Sequence, residues 1–148
     1  MQDNWKACEL TVIYKPGYKC ENPLTNSLIA YKFMRSVWNP ELLTLQSHFM
    51  AFFLDPKGRT IAYRPITTGS MGFTPIDIKL ICCLALQTLA SSVMTAISRP
   101  SASLKASASG LENAKKLKLC LSLFDIKLLD HLIIADNSYL SLHDKDLI

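Results

Sequence analysis

The stretch TTGSMGFTPIDIKLI, from Thr67 to Ile81, decides the fold. Thr67 to Gly72, rich in glycine and hydroxyl side chains, reads as a turn. Thr74, Pro75 and Asp77 then open a helix: a hydroxyl N-cap, a proline at the first helical position, and a carboxylate near the positive end of the dipole. The helix runs to about Ala90 and is apolar nearly all round, so it is predicted to be a central buried helix, with Cys82 and Cys83 as small hydrophobes inside it. A short strand, Val93 to Ile97, follows it.

Upstream, His48 to Leu54 and Arg59 to Thr67 read as two strands, and Asp55, Pro56, Lys57 and Gly58 between them have the chemistry of a hairpin turn. A helix is expected from about Thr25 to Val37. Cys8 to Tyr14 alternates and carries Thr11, Val12 and Ile13, which suits a strand that Lys15, Pro16 and Gly17 then break. Downstream, RPSASLKASASG from Arg99 to Gly110 is a Ser/Ala-rich loop. Leu111, Ala114, Leu117, Leu121 and Phe124 then repeat at helical spacing, which leaves Lys115, Lys116 and Lys118 on the wet side of an amphipathic helix. Ile126 to Ile134 and Tyr139 to Leu142 read as strands turned by Asp136, Asn137 and Ser138. Strands separated by helices predict an α/β sheet covered on both faces.

The chain has 148 residues, 49% of them hydrophobic and 19% charged. That length fits one domain, and the composition is far from that of a disordered chain. The net charge of +4 and the pI of about 8.8 permit nucleic acid without indicating it, since a nucleic-acid footprint generally lies above 9. The first residues carry no basic segment followed by an apolar one, and Ile76 to Ile97 is interrupted by Asp77 and Lys79. Neither a signal peptide nor a membrane span is expected, and a cytoplasmic location is. The five cysteines, Cys8, Cys20, Cys82, Cys83 and Cys120, show no C-x-x-C unit and suit that compartment as buried thiols.

TTGSMGF-T-PIDIKLI resembles S-T-G-G-x-x-x-T-x-x-D-x-R-x-x of the RadC branch of the JAB/MPN metallohydrolases, and DIKLLDHLIIADNSYLSLHDKDLI, Asp125 to Ile148, resembles its closing segment. The likeness runs from about Leu42. It implies a three-layer α/β/α fold of the cytidine-deaminase-like type with a mixed central sheet over residues 41–148, with residues 1–40 as a strand-helix extension packed on the same domain. It also implies a zinc site built by H-x-H-P-S-G and the aspartate of S-x-x-D, with an upstream glutamate as general base. Histidines at i and i+2 on an extended segment project to one side, and an aspartate opening the next helix can close a tetrahedral site that keeps a place for water. Zinc lowers the pKa of that water to about 7 and the glutamate takes its proton.

Placed without gaps, the histidine positions are Ile97 and Arg99, the aspartate position is Gly110 and the glutamate position is Pro65. None of the four has the family's chemical group. Arg99 stays charged, and at about 4 Å from a divalent ion, with an effective dielectric of 20, it would be repelled by roughly 4 kcal/mol per unit of metal charge. Pro100 and Ser101 keep the P-S of the motif, and Ser107 keeps its serine, whose hydroxyl in active relatives is expected to help stabilise the tetrahedral intermediate. Without a metal, Ser107 is expected to serve as an N-cap. His48, His131 and His143 are the remaining candidates for a relocated site, beside Asp130 and Asp144. Neighbours on a strand point to opposite faces, so Asp130 and His131 are poor partners for one ion. No G-x-S-x-G nucleophile turn and no G-x-x-x-x-G-K phosphate loop occurs. The expectation is a RadC-like pseudoenzyme without bound cofactor or metal, acting as a binding or scaffolding module for a protein partner. The alternatives are a metal-dependent hydrolase with a relocated site, or a DNA-associated protein.

Overall fold

The computed structural model describes residues 7–17, 21–69 and 75–148. Its elements are α1 (Ser27–Val37), α2 (Pro40–Leu43), β1 (Ser47–Leu54), β2 (Thr60–Gly69), α3 (Ile78–Gln87), β3 (Ser92–Ser98), α4 (Ala108–Ser122), β4 (Lys127–Ile134) and β5 (Tyr139–Ser141). The strands form a mixed five-stranded sheet in the order β2-β1-β3-β4-β5. β3 and β4 are parallel, with α4 in the crossover between them, and every other pair is antiparallel.

Side-chain alternation along the strands builds two cores. Phe49, Ala51 and Phe53 of β1, with Val93 and Ile97 of β3, face one way and pack with Ile81 and Ala85 of α3 and Ala114, Leu117 and Leu121 of α4. Met50, Phe52 and Leu54, with Met94 and Ala96, face the other way and pack with Ala30, Phe33 and Met34 of α1 and with Leu43 of α2. The layers are therefore α1 and α2, then the sheet, then α3 and α4. This is the α/β/α arrangement the sequence predicts.

Local chemistry sets the boundaries. Asn26 caps α1 by accepting from the Ile29 amide at 2.9 Å. The β1–β2 turn is held by Asp55, which accepts from the Lys57 and Arg59 amides and pairs with the Arg59 guanidinium at 2.8 Å. Gly58 in that turn stands at φ 76, which glycine adopts without steric cost.

Four sequence expectations are corrected. Residues 7–17 form no strand: Leu10 and Ile13 are exposed, and no described strand pairs with them. Thr67 to Gly69 continues β2 instead of turning, because it pairs with Ser47 to Phe49, and residues 70–72 of the expected turn lie outside the described residues. Helix α3 begins at Ile78, with Asp77 as its N-cap accepting from the Leu80 amide at 2.9 Å, so Pro75 precedes the helix; Thr74 lies outside the described residues. That helix is also an outer one. Only Ile81 and Ala85 are buried, Cys82 is half-buried and Cys83 is exposed, as is Cys8. Lys115, Lys116 and Lys118 are exposed on α4, as its amphipathic pattern requires. No described helix is long and apolar enough to cross a membrane.

Candidate functional site

The end of β3 is anchored on its far side. Ser98 is fully buried, its hydroxyl accepts from the His48 amide at 2.8 Å, and its carbonyl accepts from the Ser47 hydroxyl at 2.9 Å. The residues on either side of it, Ile97 and Arg99, turn to the opposite face and line one cavity of about 420 Å³. The Arg99 amide bonds the Ile134 carbonyl at 2.8 Å, which keeps residue 99 in line with the parallel pair, and a turn closes from the Ala102 amide to the Arg99 carbonyl at 3.0 Å. Ala102 stands where H-x-H-P-S-G has its glycine. Its φ is 58, a left-handed conformation that glycine adopts freely and other L-residues adopt at a cost.

The loop returns to the cavity at α4. Ser107 is the N-cap and accepts from the Gly110 amide at 3.1 Å, and Ser107, Ser109, Gly110 and Asn113 all contribute to the lining. The structure thus gathers Ile97, Arg99, Ser107 and Gly110 around one space. Pro65 is not among the lining residues. It is exposed on β2, an edge strand, opposite Met50 and beside a register shift, a position that proline tolerates because no ladder donor is required there.

The three histidines divide between the two faces. His48 alternates away from Ser47 and Phe49, its Nε2 is buried without a partner among the described residues, and burial lowers its pKa. His143 lines a separate cavity of about 300 Å³ with Asp130 and Asp144. There Asp130 accepts from the His131 and His143 amides and from the Ser141 hydroxyl, the last at 2.5 Å, while burial pushes its pKa up. Asp130 and His131 do face opposite ways. No group of three histidine, cysteine or carboxylate side chains able to hold a metal occurs among the described residues.

His131 is the cavity residue that the sequence did not place there. In β4 the register skips Leu129: Val93 pairs with Leu128, and Met94 with Asp130. Without that extra residue, strict alternation from Leu128 would have turned His131 toward α1. As built, His131 is 5% exposed, stacks on Phe49 at 5.6 Å and shares a 2.8 Å hydrogen bond between Nδ1 and the Thr95 hydroxyl. Burial, helped by the charge of Arg99, lowers its pKa to about 4. Among the described residues the cavity therefore holds a neutral imidazole, one guanidinium and no carboxylate.

The depressed pKa predicts an acid-sensitive fold. Between the usual 6.5 and about 4, the unfolded chain binds a proton at His131 that the folded chain refuses, so stability is full above 6.5 and falls as pH drops through that window. The loss is at most about 3 kcal/mol. Asp130, whose pKa is raised, acts in the opposite direction at lower pH. Comparing denaturant midpoints of the parent and His131→Gln from pH 7 to pH 4.5 isolates the histidine: the variant's curve should be flatter, and equal slopes would refute the assignment.

A profile of the RadC-like JAB domain matches residues 24–147, a span that takes in α1 and α2 as well as the sheet. Among curated relatives, UPF0758 proteins are similar to this chain. One from Listeria monocytogenes is 35% identical over 107 residues, 72% of this chain and 48% of its own length. One from Geobacillus thermodenitrificans is 31% identical over 100 residues, 68% and 44% respectively, and one from Flavobacterium johnsoniae is 30% identical over 97 residues, 66% and 42%. The chain spans less than half the length of these relatives.

Proposed function

The chain belongs to the RadC-like JAB domain family, and from that premise we propose that it is a member which has lost metal and base chemistry and keeps the domain, in the cytoplasm, as a binding module. The observation that carries this reading is the cavity lining: Ile97, Arg99 and Gly110 surround one space, where the family's motif implies two histidines and an aspartate. Zinc does not fit this donor set. Ile97 has no lone pair, Gly110 has no side chain, and the Arg99 guanidinium offers only donors. The cavity's one imidazole, His131, has its Nδ1 engaged by Thr95 and lies on a different strand from the motif. Pro65 offers no base, and among the described residues no carboxylate lines the cavity in its place.

Elemental analysis tests the reading. The protein, purified without chelator, supplied with zinc and dialysed, should hold far less than one equivalent. One ion per chain surviving dialysis would overturn the proposal in favour of a hydrolase with a relocated centre.

A further inference from the structure

If zinc is absent, as proposed above, the cavity still has a feature that its own walls do not satisfy. The Nε of Arg99 is buried and has no hydrogen-bond partner among the described residues, and the ion pairs found there, Arg35 with Asp136 and Arg59 with Asp55, leave Arg99 out. Its Nε has given up water without gaining an acceptor, which is costly unless a ligand supplies one. The space itself is of small-molecule size: about 420 Å³, within the range of about 300–1,000 Å³ usual for ligand pockets.

From these observations we infer that the cavity binds a small organic acid, its carboxylate on the Arg99 guanidinium and its apolar body against Ile76, Ile97 and Ile133. Charge selects the headgroup. Among the described residues Arg99 is the cavity's single cation and no lysine lines the wall, so a monoanion is balanced, whereas a phosphate dianion leaves a charge uncompensated. A planar carboxylate also matches the guanidinium fork through two parallel hydrogen bonds. Two further features favour an anion. The first turn of α4, opened by Ser107, presents its positive end to the cavity. In the tautomer where the Thr95 hydroxyl donates to His131 Nδ1, the imidazole keeps its proton on Nε2 as a donor. Ile76, Ile97 and Ile133 supply the apolar contact that a bare inorganic ion would not use.

Titration calorimetry on the full chain, treated with chelator, at neutral pH and low salt, tests this with three probes: benzoate, its neutral counterpart benzamide, and inorganic phosphate. Benzoate should bind at one site, roughly tenfold or more tighter than benzamide, and tighter than phosphate. Arg99→Met, with its fold checked by circular dichroism, should lose roughly the same factor for benzoate and little for benzamide. Equal affinities for benzoate and benzamide in the parent would overturn the inference without recourse to any variant. So would phosphate binding tighter than benzoate, or benzoate binding unchanged in a folded Arg99→Met. Zinc retained by untreated protein would refute the loss of metal chemistry, whereas zinc-free protein indifferent to benzoate would refute only the carboxylate site.

Discussion

With Ile97→His, Arg99→His and Gly110→Asp combined, the chain is expected to take up one zinc ion per molecule and to melt at a higher temperature with zinc than without it. The expectation rests on geometry that the structure retains. Ile97 and Arg99 face one cavity because Ser98 between them is anchored to the far side, and position 110 lines the same cavity from α4. The turn after Arg99 holds Ala102 in a left-handed conformation that suits the glycine of H-x-H-P-S-G better than alanine. Replacing Arg99 also removes the charge that repels a divalent ion. One contact must give: a Cβ at position 110 would lie 3.0 Å from the Ser107 hydroxyl. That hydroxyl caps α4, and displacing it costs about 1 kcal/mol. The metal-free variant should therefore be less stable than the parent, and zinc, binding only the folded chain, should restore the loss. Adding Pro65→Glu should not bring hydrolysis, because position 65 is exposed on the edge strand and outside the cavity lining. Calorimetric titration with zinc decides the matter. No gain in affinity over the parent, in a variant folded by circular dichroism, would require withdrawing positions 97, 99 and 110 as the motif's equivalents.

What the sequence discloses and what it hides can be separated by the range of the interaction. The β1–β2 hairpin is readable because Asp55, Pro56, Lys57 and Gly58 carry their turn chemistry locally, and the structure uses Asp55 and Gly58 directly. Helix α4 is readable because its apolar residues repeat at one period, and Ala114, Leu117 and Leu121 are the buried ones. Ile97, Arg99 and Gly110 come together because they lie on one strand end and the first turn of the next helix, a short and ordered connection. His131 escapes that reading. Its direction depends on an extra residue in β4, which exists only relative to the register of β3 and leaves no mark in the composition of LLDH. The exposed stretch 7–17 fails for the same reason: alternation licenses a strand, but only a neighbouring backbone makes one.

The placement of α3 carries the last large effect: Ile81→Ala is expected to cost about 2–5 kcal/mol, and Leu86→Ala less than about 1 kcal/mol. A helix apolar nearly all round reads as central, yet the sheet gives α3 only one face to cover. Ile81 is fully enclosed within the core formed with Ala85, Phe53 and Leu117. Leu86 is 42% exposed, so truncating it opens no closed cavity, and Leu84, half-buried against the same core, should fall between the two. For a domain of this size, each kcal/mol moves the melting temperature by about 2–4 °C, so Ile81→Ala should melt on the order of 10 °C below the parent while Leu86→Ala stays within a few degrees of it. Thermal unfolding followed by circular dichroism reads both. A Leu86→Ala variant as damaged as Ile81→Ala would mean that α3 is rotated about its axis. Since Pro75 and Ile76, just before that helix, form part of the cavity wall, the rotation would also move the apolar side of the proposed ligand site.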